Sequence, residues 1–167
     1  ADHRVQRLGR HVEAGREVEV ELRDVHALRV LVELGAAVTV VAERIDEERL
    51  LRILDAAHRA PSVGNTQPWD FVVVQDPETL ARFAGHVGEC REDFARSLPE
   101  DRKDTFNPIV VEGIESSRTG VVVTYDPTRG GAHILGRHTI DETGRLSVAP
   151  ATLNLKPAAT AEGIGAA

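Results

Sequence analysis

Ser62, Gly64, Asn65, Thr66 and Gln67 bring hydroxyl, amide and bare-backbone groups together in a few positions, fenced by Pro61 and Pro68. Proline ends a helix before it and biases the preceding residue toward extended geometry. Gly64 permits backbone angles and close approaches that other residues resist. Residues 60–71 are therefore expected to form a rigid connector with outward N–H groups and polar side chains. Such a connector suits a ligand with phosphate and amide-like edges. An ordinary loop of turn-forming residues fits the same spacing, and both readings stay open on these residues alone.

Other reactive residue types are scattered. Arg23-Asp24 ends a strand pattern and reads by itself as a solvated surface ion pair. Arg129-Gly130-Gly131 could cradle an anion, although such a sequence is more often a plain turn. Seven histidines, at 3, 11, 26, 58, 86, 133 and 138, fall into no His-x-His or His-Glu-x-x-His pattern, so no metal site is expected. Gly-x-Ser-x-Gly, P-loop and Gly-x-Gly-x-x-Gly fingerprints are absent. Cys90, the single cysteine, excludes an internal disulfide, fits a reducing cytoplasm and reads as a packing residue.

The elements that must position the connector are legible from periodicity. Residues 46–59 should be a helix: Asp46 can cap it, Glu47 and Glu48 suit its positive end, and Leu50, Leu51, Leu54 and Ala57 form a stripe. Residues 71–74 and 121–125 read as strands buried on both faces. Asp76-Pro77 should start a second helix, with Leu80, Phe83, Val87, Cys90 and Phe94 along one side. A third helix is expected over 102–115, with Pro108 placed awkwardly inside it. Residues 126–138 should be a loop, and 147–162 a helix interrupted by Pro157 and stopped by Gly163. Residues 18–25 alternate like a half-buried strand, and 29–41 should run from helix into strand.

With 167 residues and 41% apolar composition, the chain suits one globular domain. A net charge of −7 and only 4% aromatic residues argue against nucleic-acid binding. No secretory leader is evident, and the most apolar window is too short and too charged for a membrane span, so a cytoplasmic protein is expected. Mixed helices and strands indicate an α+β or α/β domain.

The run from Asp55 to Pro77, with Ala-Pro-Ser-Val-Gly at 60–64 and Gln-Pro-Trp at 67–69, resembles the signature of nitroreductase-like flavoproteins. More narrowly it is similar to the 5,6-dimethylbenzimidazole synthase (BluB-type) branch. Val111-Glu112-Gly113-Ile114, Leu-Gly-Arg-His-Thr-Ile at 135–140 and Ala-Glu-Gly-Ile-Gly at 161–165 follow in the family's order. The resemblance covers 46–165 co-linearly. It implies an FMN-dependent α+β fold, a mixed sheet flanked by helices, working as a homodimer with flavin at the subunit interface. Residues 1–45 then form a divergent N-terminal segment and 46–167 a flavin domain. That domain is expected to be truncated before the family's last strand and C-terminal arm.

The implied activity is oxygen-dependent fragmentation of reduced FMN to 5,6-dimethylbenzimidazole, the lower ligand of cobalamin. FMN would be both cofactor and substrate, O2 the co-substrate, and NAD(P)H or a partner flavin reductase the electron source. By position, Ser62, Val63, Gly64, Asn65 and Gln67 would line FMN, and Glu162 and Gly163 would approach the reactive edge of its ring. Arg23 would hold the phosphate, while Asp24 and Ser147 would be catalytic. Departures from the family pattern are His26 for a second phosphate-binding Arg, Thr66 for Met, and Leu146 for an aromatic residue. The alternatives are an NAD(P)H-dependent nitroreductase or flavin reductase, and a non-catalytic flavin-binding remnant.

Overall fold

A computed structural model describes residues 37–41, 43–108 and 112–166. The expected strand at 18–25, with Arg23 and Asp24, lies outside the described residues. In chain order the elements are β1 (Ala37–Val41), α1 (Glu47–His58), a 3-10 turn (Val63–Asn65), β2 (Trp69–Val74) and α2 (Pro77–Ser97). They continue with α3 (Glu100–Phe106), α4 (Glu112–Glu115), β3 (Thr119–Tyr125), α5 (Thr143–Leu146) and α6 (Val148–Ala161).

The sheet has the order β1-β3-β2. Both neighbours run antiparallel to β3, with Val38 opposite Val122 and Phe71 opposite Val123. Among the described residues the sheet is thus wholly antiparallel rather than mixed. Alternation along the strands divides its buried residues between two faces. Val73, Val121 and Val123 join Leu50, Ile53, Leu54 and Ala57 of α1 and Val148, Ala151, Leu155 and Ala159 of α6 in the main core. The other face carries Val72, Val74 and Val122, buried along with Leu80 and Phe83 of α2. There a Cβ on Gly120 would stand 3.2 Å from Leu80 Cδ2.

Local chemistry explains the ends. Asp46 Oδ1 accepts from Arg49 N at 3.0 Å and starts α1. Asp76 Oδ2 accepts from Thr79 N at 2.8 Å, with Pro77 as the first residue of α2. The single helix expected over 102–115 is instead two, α3 and α4, because Pro108 has no N–H to continue the ladder. Pro157, by contrast, sits inside an unbroken α6. Pro157 and Leu153, four residues before it, are both exposed, so the ring lies away from the face packed on α1.

The stripe on α2 turns inward only at its first half. Leu80 and Phe83 are buried, whereas Cys90 is exposed, not a packing residue. At 1.5 Å per residue a 21-residue helix spans about 32 Å, while the seven residues of β3 cover about 24 Å, so α2 overhangs the sheet. Beyond the overhang Phe94 meets Phe106 of α3 edge-on, with ring centroids 5.0 Å apart.

Candidate functional site

The 62–67 segment leaves α1 and bends sharply before β2. Gly64, Asn65 and Gln67 have φ of 55°, 52° and 45°. Left-handed backbone is natural for glycine and tolerated by asparagine; for Gln67 it costs on the order of 1–3 kcal/mol and persists only where neighbours enforce it. Three sets of contacts do so. Ser62 Oγ accepts from Gln67 N at 2.9 Å, closing the bend on itself. Gln67 Nε2 donates to His58 O at 3.1 Å, tying the bend to the end of α1. Ser147 Oγ accepts from Val63 N at 3.0 Å and donates to Thr143 O at 2.7 Å, tying it to the start of α6.

These bonds separate the expected flavin residues by role. The Ser62 hydroxyl and the Gln67 amide nitrogen build the bend. Gly64 and Asn65 form its exposed edge; the Asn65 backbone N–H donates to Ser62 O at 3.1 Å, while its side-chain amide has no hydrogen-bond partner among the described residues. Ser147 is buried and within hydrogen-bonding distance of the bend.

The floor of the bend is the 126–140 loop. A Cβ on Gly64 would stand 2.6 Å from Ile134 Cγ2, and one on Gly136 would stand 2.7 Å from Val63 Cγ2. One on Gly130 would stand 2.7 Å from Thr66 Cγ2. Glycine at these positions lets two loops touch backbone to side chain. Arg129 is not an anion cradle. Its Nη2 donates to both Asp70 oxygens at 2.9 and 2.8 Å, and its Nη1 donates to Gln67 O at 3.0 Å and to Trp69 O.

Behind the bend, Trp69 Nε1 donates to His58 Nδ1 at 3.2 Å. Indole N–H is only a donor, so His58 must be neutral there with its proton on Nε2. Burial holds the His58 pKa below its ordinary value, and its Nε2 has no partner among the described residues.

Glu162 and Gly163 lie at the other end of α6. Gly163, with φ of 75°, follows the C-cap; its N–H donates to Thr160 O at 2.9 Å and that of Ile164 to Ala159 O at 2.9 Å. This pair of bonds is a Schellman closure, which favours glycine at that place. The Glu162 carboxylate meets Arg52 through Nε at 2.8 Å and Nη2 at 2.9 Å, and Arg49 Nη2 donates to its backbone oxygen. The Arg52 hydrogen bonds, foremost, hold the Glu162 carboxyl below its usual pKa. The 14 residues of α6 put roughly 21 Å between Ser147 and this turn. The structure therefore groups Ser62, Val63, Gly64, Asn65, Gln67 and Ser147 at one end of the α1–α6 pair, and Glu162 and Gly163 at the other.

A model of the nitroreductase family matches residues 40–167. The chain belongs to the nitroreductase family. Among its relatives, this family member is similar to the 5,6-dimethylbenzimidazole synthase of Rhodospirillum rubrum, 37% identical over 121 residues. That match covers 72% of this chain and 57% of the relative, so the chain spans little more than half that protein's length. A putative NADH dehydrogenase/NAD(P)H nitroreductase of Archaeoglobus fulgidus is 49% identical over 41 residues, 25% of this chain and 24% of that protein. The crystal structure of a BluB-like flavoprotein from Clostridium difficile 630 superposes with a TM-score of 0.54 at 22% identity. It covers 75% of this chain and 67% of that one, and at this identity the likeness is one of fold. The nitroreductase-like α+β fold expected from the motifs is thus the fold of the chain.

Sequence reasoning missed Asp70, Arg49, Arg52 and His58 as parts of this arrangement. Asp70 and Arg129 are 59 positions apart, and Arg52 and Glu162 are 110 apart, so no local spacing signals either pair. Among the described residues no helix is long and apolar enough to cross a membrane.

Proposed function

We propose that the chain binds FMN against the 62–67 bend and acts, as a homodimer, in the oxygen-dependent fragmentation of reduced FMN to 5,6-dimethylbenzimidazole. The observation that carries this reading is the exposed Gly64–Asn65 edge, held in left-handed backbone by anchors from α1 and α6. The residues present fit a flavin ring. Gly64 and Asn65 are both exposed, and the Asn65 side-chain amide offers a donor and an acceptor to a ring edge that carries both. Similarity to a protein named 5,6-dimethylbenzimidazole synthase supports the choice of reaction. Bound reduced FMN would supply both the electrons that reduce oxygen and the carbon skeleton of the product.

The placement of the two residue groups supports the homodimer. One ring does not bridge the roughly 21 Å between Ser147 and Gly163 within a chain. A second copy would bring the bend of one subunit beside the Glu162–Gly163 turn of the other, completing a site at the interface. In this proposal Arg23 holds the phosphate through its planar fork and Asp24 moves a proton. Ser147 already donates its hydroxyl hydrogen to Thr143 O, so a proton-carrying role requires that hydroxyl to rotate.

The test is direct. The purified chain, loaded with FMN, is reduced without oxygen and then exposed to air. Dimethylbenzimidazole should appear by mass spectrometry; its absence with FMN demonstrably bound rejects the reaction. The short match to a putative NAD(P)H nitroreductase favours a second reading, an NAD(P)H-driven nitroreductase or flavin reductase. Steady NAD(P)H oxidation with a nitroaromatic acceptor, without dimethylbenzimidazole, identifies it. A coloured protein that performs neither reaction is a flavin-binding remnant.

A further inference from the structure

Arg129 is the most heavily engaged side chain around the bend, and the flavin reading gives it no task. It joins three things: the Asp70 carboxylate on β2, the backbone oxygens of Gln67 and Trp69, and, through its own chain neighbours, the glycine loop under Gly64. Its oxygen in turn accepts from Arg137 Nη1 at 3.1 Å, and the same nitrogen donates to Pro127 O at 3.0 Å, so the loop is braced from inside. Gln67 is the one long side chain in the bend held at positive φ, and its carbonyl is among the groups Arg129 grips.

We propose that Arg129, oriented by Asp70, is a positioning residue that sets the conformation of the 62–67 bend and through it the affinity and environment of bound flavin. The inference rests on the flavin reading for its ligand and on the contacts above for its mechanism. A guanidinium is required because one planar group must serve a two-oxygen carboxylate and two carbonyls together. Lysine supplies a point charge and cannot hold that geometry. When Arg129 is lost, the Ser62, His58 and Ser147 anchors remain but the grip on the Gln67 carbonyl is gone, so the strained Gln67 backbone relaxes and Asn65 and Gly64 shift with it. Asp70 acts one step further back, fixing the plane of the guanidinium.

The test compares Arg129→Gln, Arg129→Lys and Asp70→Asn with Lys103→Gln, a control that breaks an exposed pair with Glu100 on α3. Two readouts are taken on each, with far-UV circular dichroism to confirm folding. Trp69 is the only tryptophan and is buried, so its emission and acrylamide quenching report the bend without flavin. Both Arg129 variants should raise quenching and red-shift the emission, with Asp70→Asn intermediate and Lys103→Gln unchanged. With FMN, the Arg129 variants should bind roughly ten- to a hundredfold more weakly, as for loss of charged hydrogen bonds, with an altered visible band. Unchanged Trp69 emission and quenching in folded Arg129→Gln and Asp70→Asn overturns the positioning role, whatever the flavin result. Normal Trp69 changes in a chain that never takes up FMN overturn the flavin reading and leave the positioning of the bend standing. Should Arg129→Gln not fold, Asp70→Asn, which keeps size and an acceptor oxygen, decides by the same readouts.

Discussion

Ser147 Oγ accepts a hydrogen bond from the backbone N–H of Val63 at 3.0 Å, across 84 positions of sequence. The bond makes the start of α6 a support for the bend after α1. Two chain segments remote in sequence thereby share one polar anchor.

Removing that anchor leaves the Val63 N–H, which is only partly buried, without its partner. Ser147→Ala is expected to destabilise the fold by about 1–2 kcal/mol, the usual cost of leaving such a donor unmet. Urea unfolding measures this, and a midpoint identical to that of the parent rules out the anchoring role. FMN titration of the same variant separates loosened binding from lost chemistry. A variant that binds FMN normally but yields no dimethylbenzimidazole places Ser147 in the reaction.

His58 ties stability to pH through its bond with Trp69. Burial lowers its pKa in the folded chain below the value of 6.5 for a free histidine. The unfolded chain therefore takes up the proton first as pH falls. The contribution of neutral His58 is complete above pH 6.5 and is lost as pH drops from there toward the folded pKa. Melting temperatures across this window should fall for the parent and stay flatter for His58→Gln, which keeps an acceptor for the indole but does not titrate. Parallel curves for the two proteins would falsify the assignment.

Glu162 behaves with the opposite chemistry and the same direction. Its folded pKa is held below the ordinary glutamate value of 4.5 by Arg52 first, so its stabilising effect is present above 4.5 and disappears as pH falls through the folded pKa. Glu162→Gln should lower the melting temperature at neutral pH and low salt. The difference should shrink as ionic strength rises, because Glu162 and Arg52 are partly open to solvent. A deficit that ignores salt would mean the carboxylate acts through shape rather than charge.

Much of the scaffold was legible in short-range patterns. Asp46, Asp76 and Pro77 act within three or four residues, so the starts of α1 and α2 could be read directly. Co-linear motifs identified the bend, since turn chemistry is local as well. What could not be read was whatever depends on an element's position over the sheet. The α2 stripe continues by period through Cys90 and Phe94, yet the helix outruns the strands beneath it and those residues surface. Pro108 and Pro157 look alike in sequence. One separates α3 from α4, while the other rides on the exposed side of a helix held by Ala151, Leu155 and Ala159 against α1. Arg129 looked like part of an open turn because its carboxylate partner comes from another strand.

The glycines under the bend allow clash to be separated from backbone preference. Gly131 and Gly136 both have positive φ, 79° and 92°, but a Cβ on Gly131 meets nothing within 4 Å. Gly131→Ala should therefore carry only the conformational penalty, about 1–2 kcal/mol. Gly136→Ala adds a Cβ 2.7 Å from Val63 Cγ2, inside the bend itself. To relieve it, Val63 must shift and strain its hydrogen bond to Ser147, so a further 1–3 kcal/mol or so of overpacking is expected. The two variants should also differ in kind. Gly131→Ala should leave FMN affinity near that of the parent, whereas Gly136→Ala should weaken it by displacing Gly64 and Asn65. Denaturant unfolding and flavin titration of both variants check this. Equal stability losses with equal affinities would show that the two loops do not constrain one another.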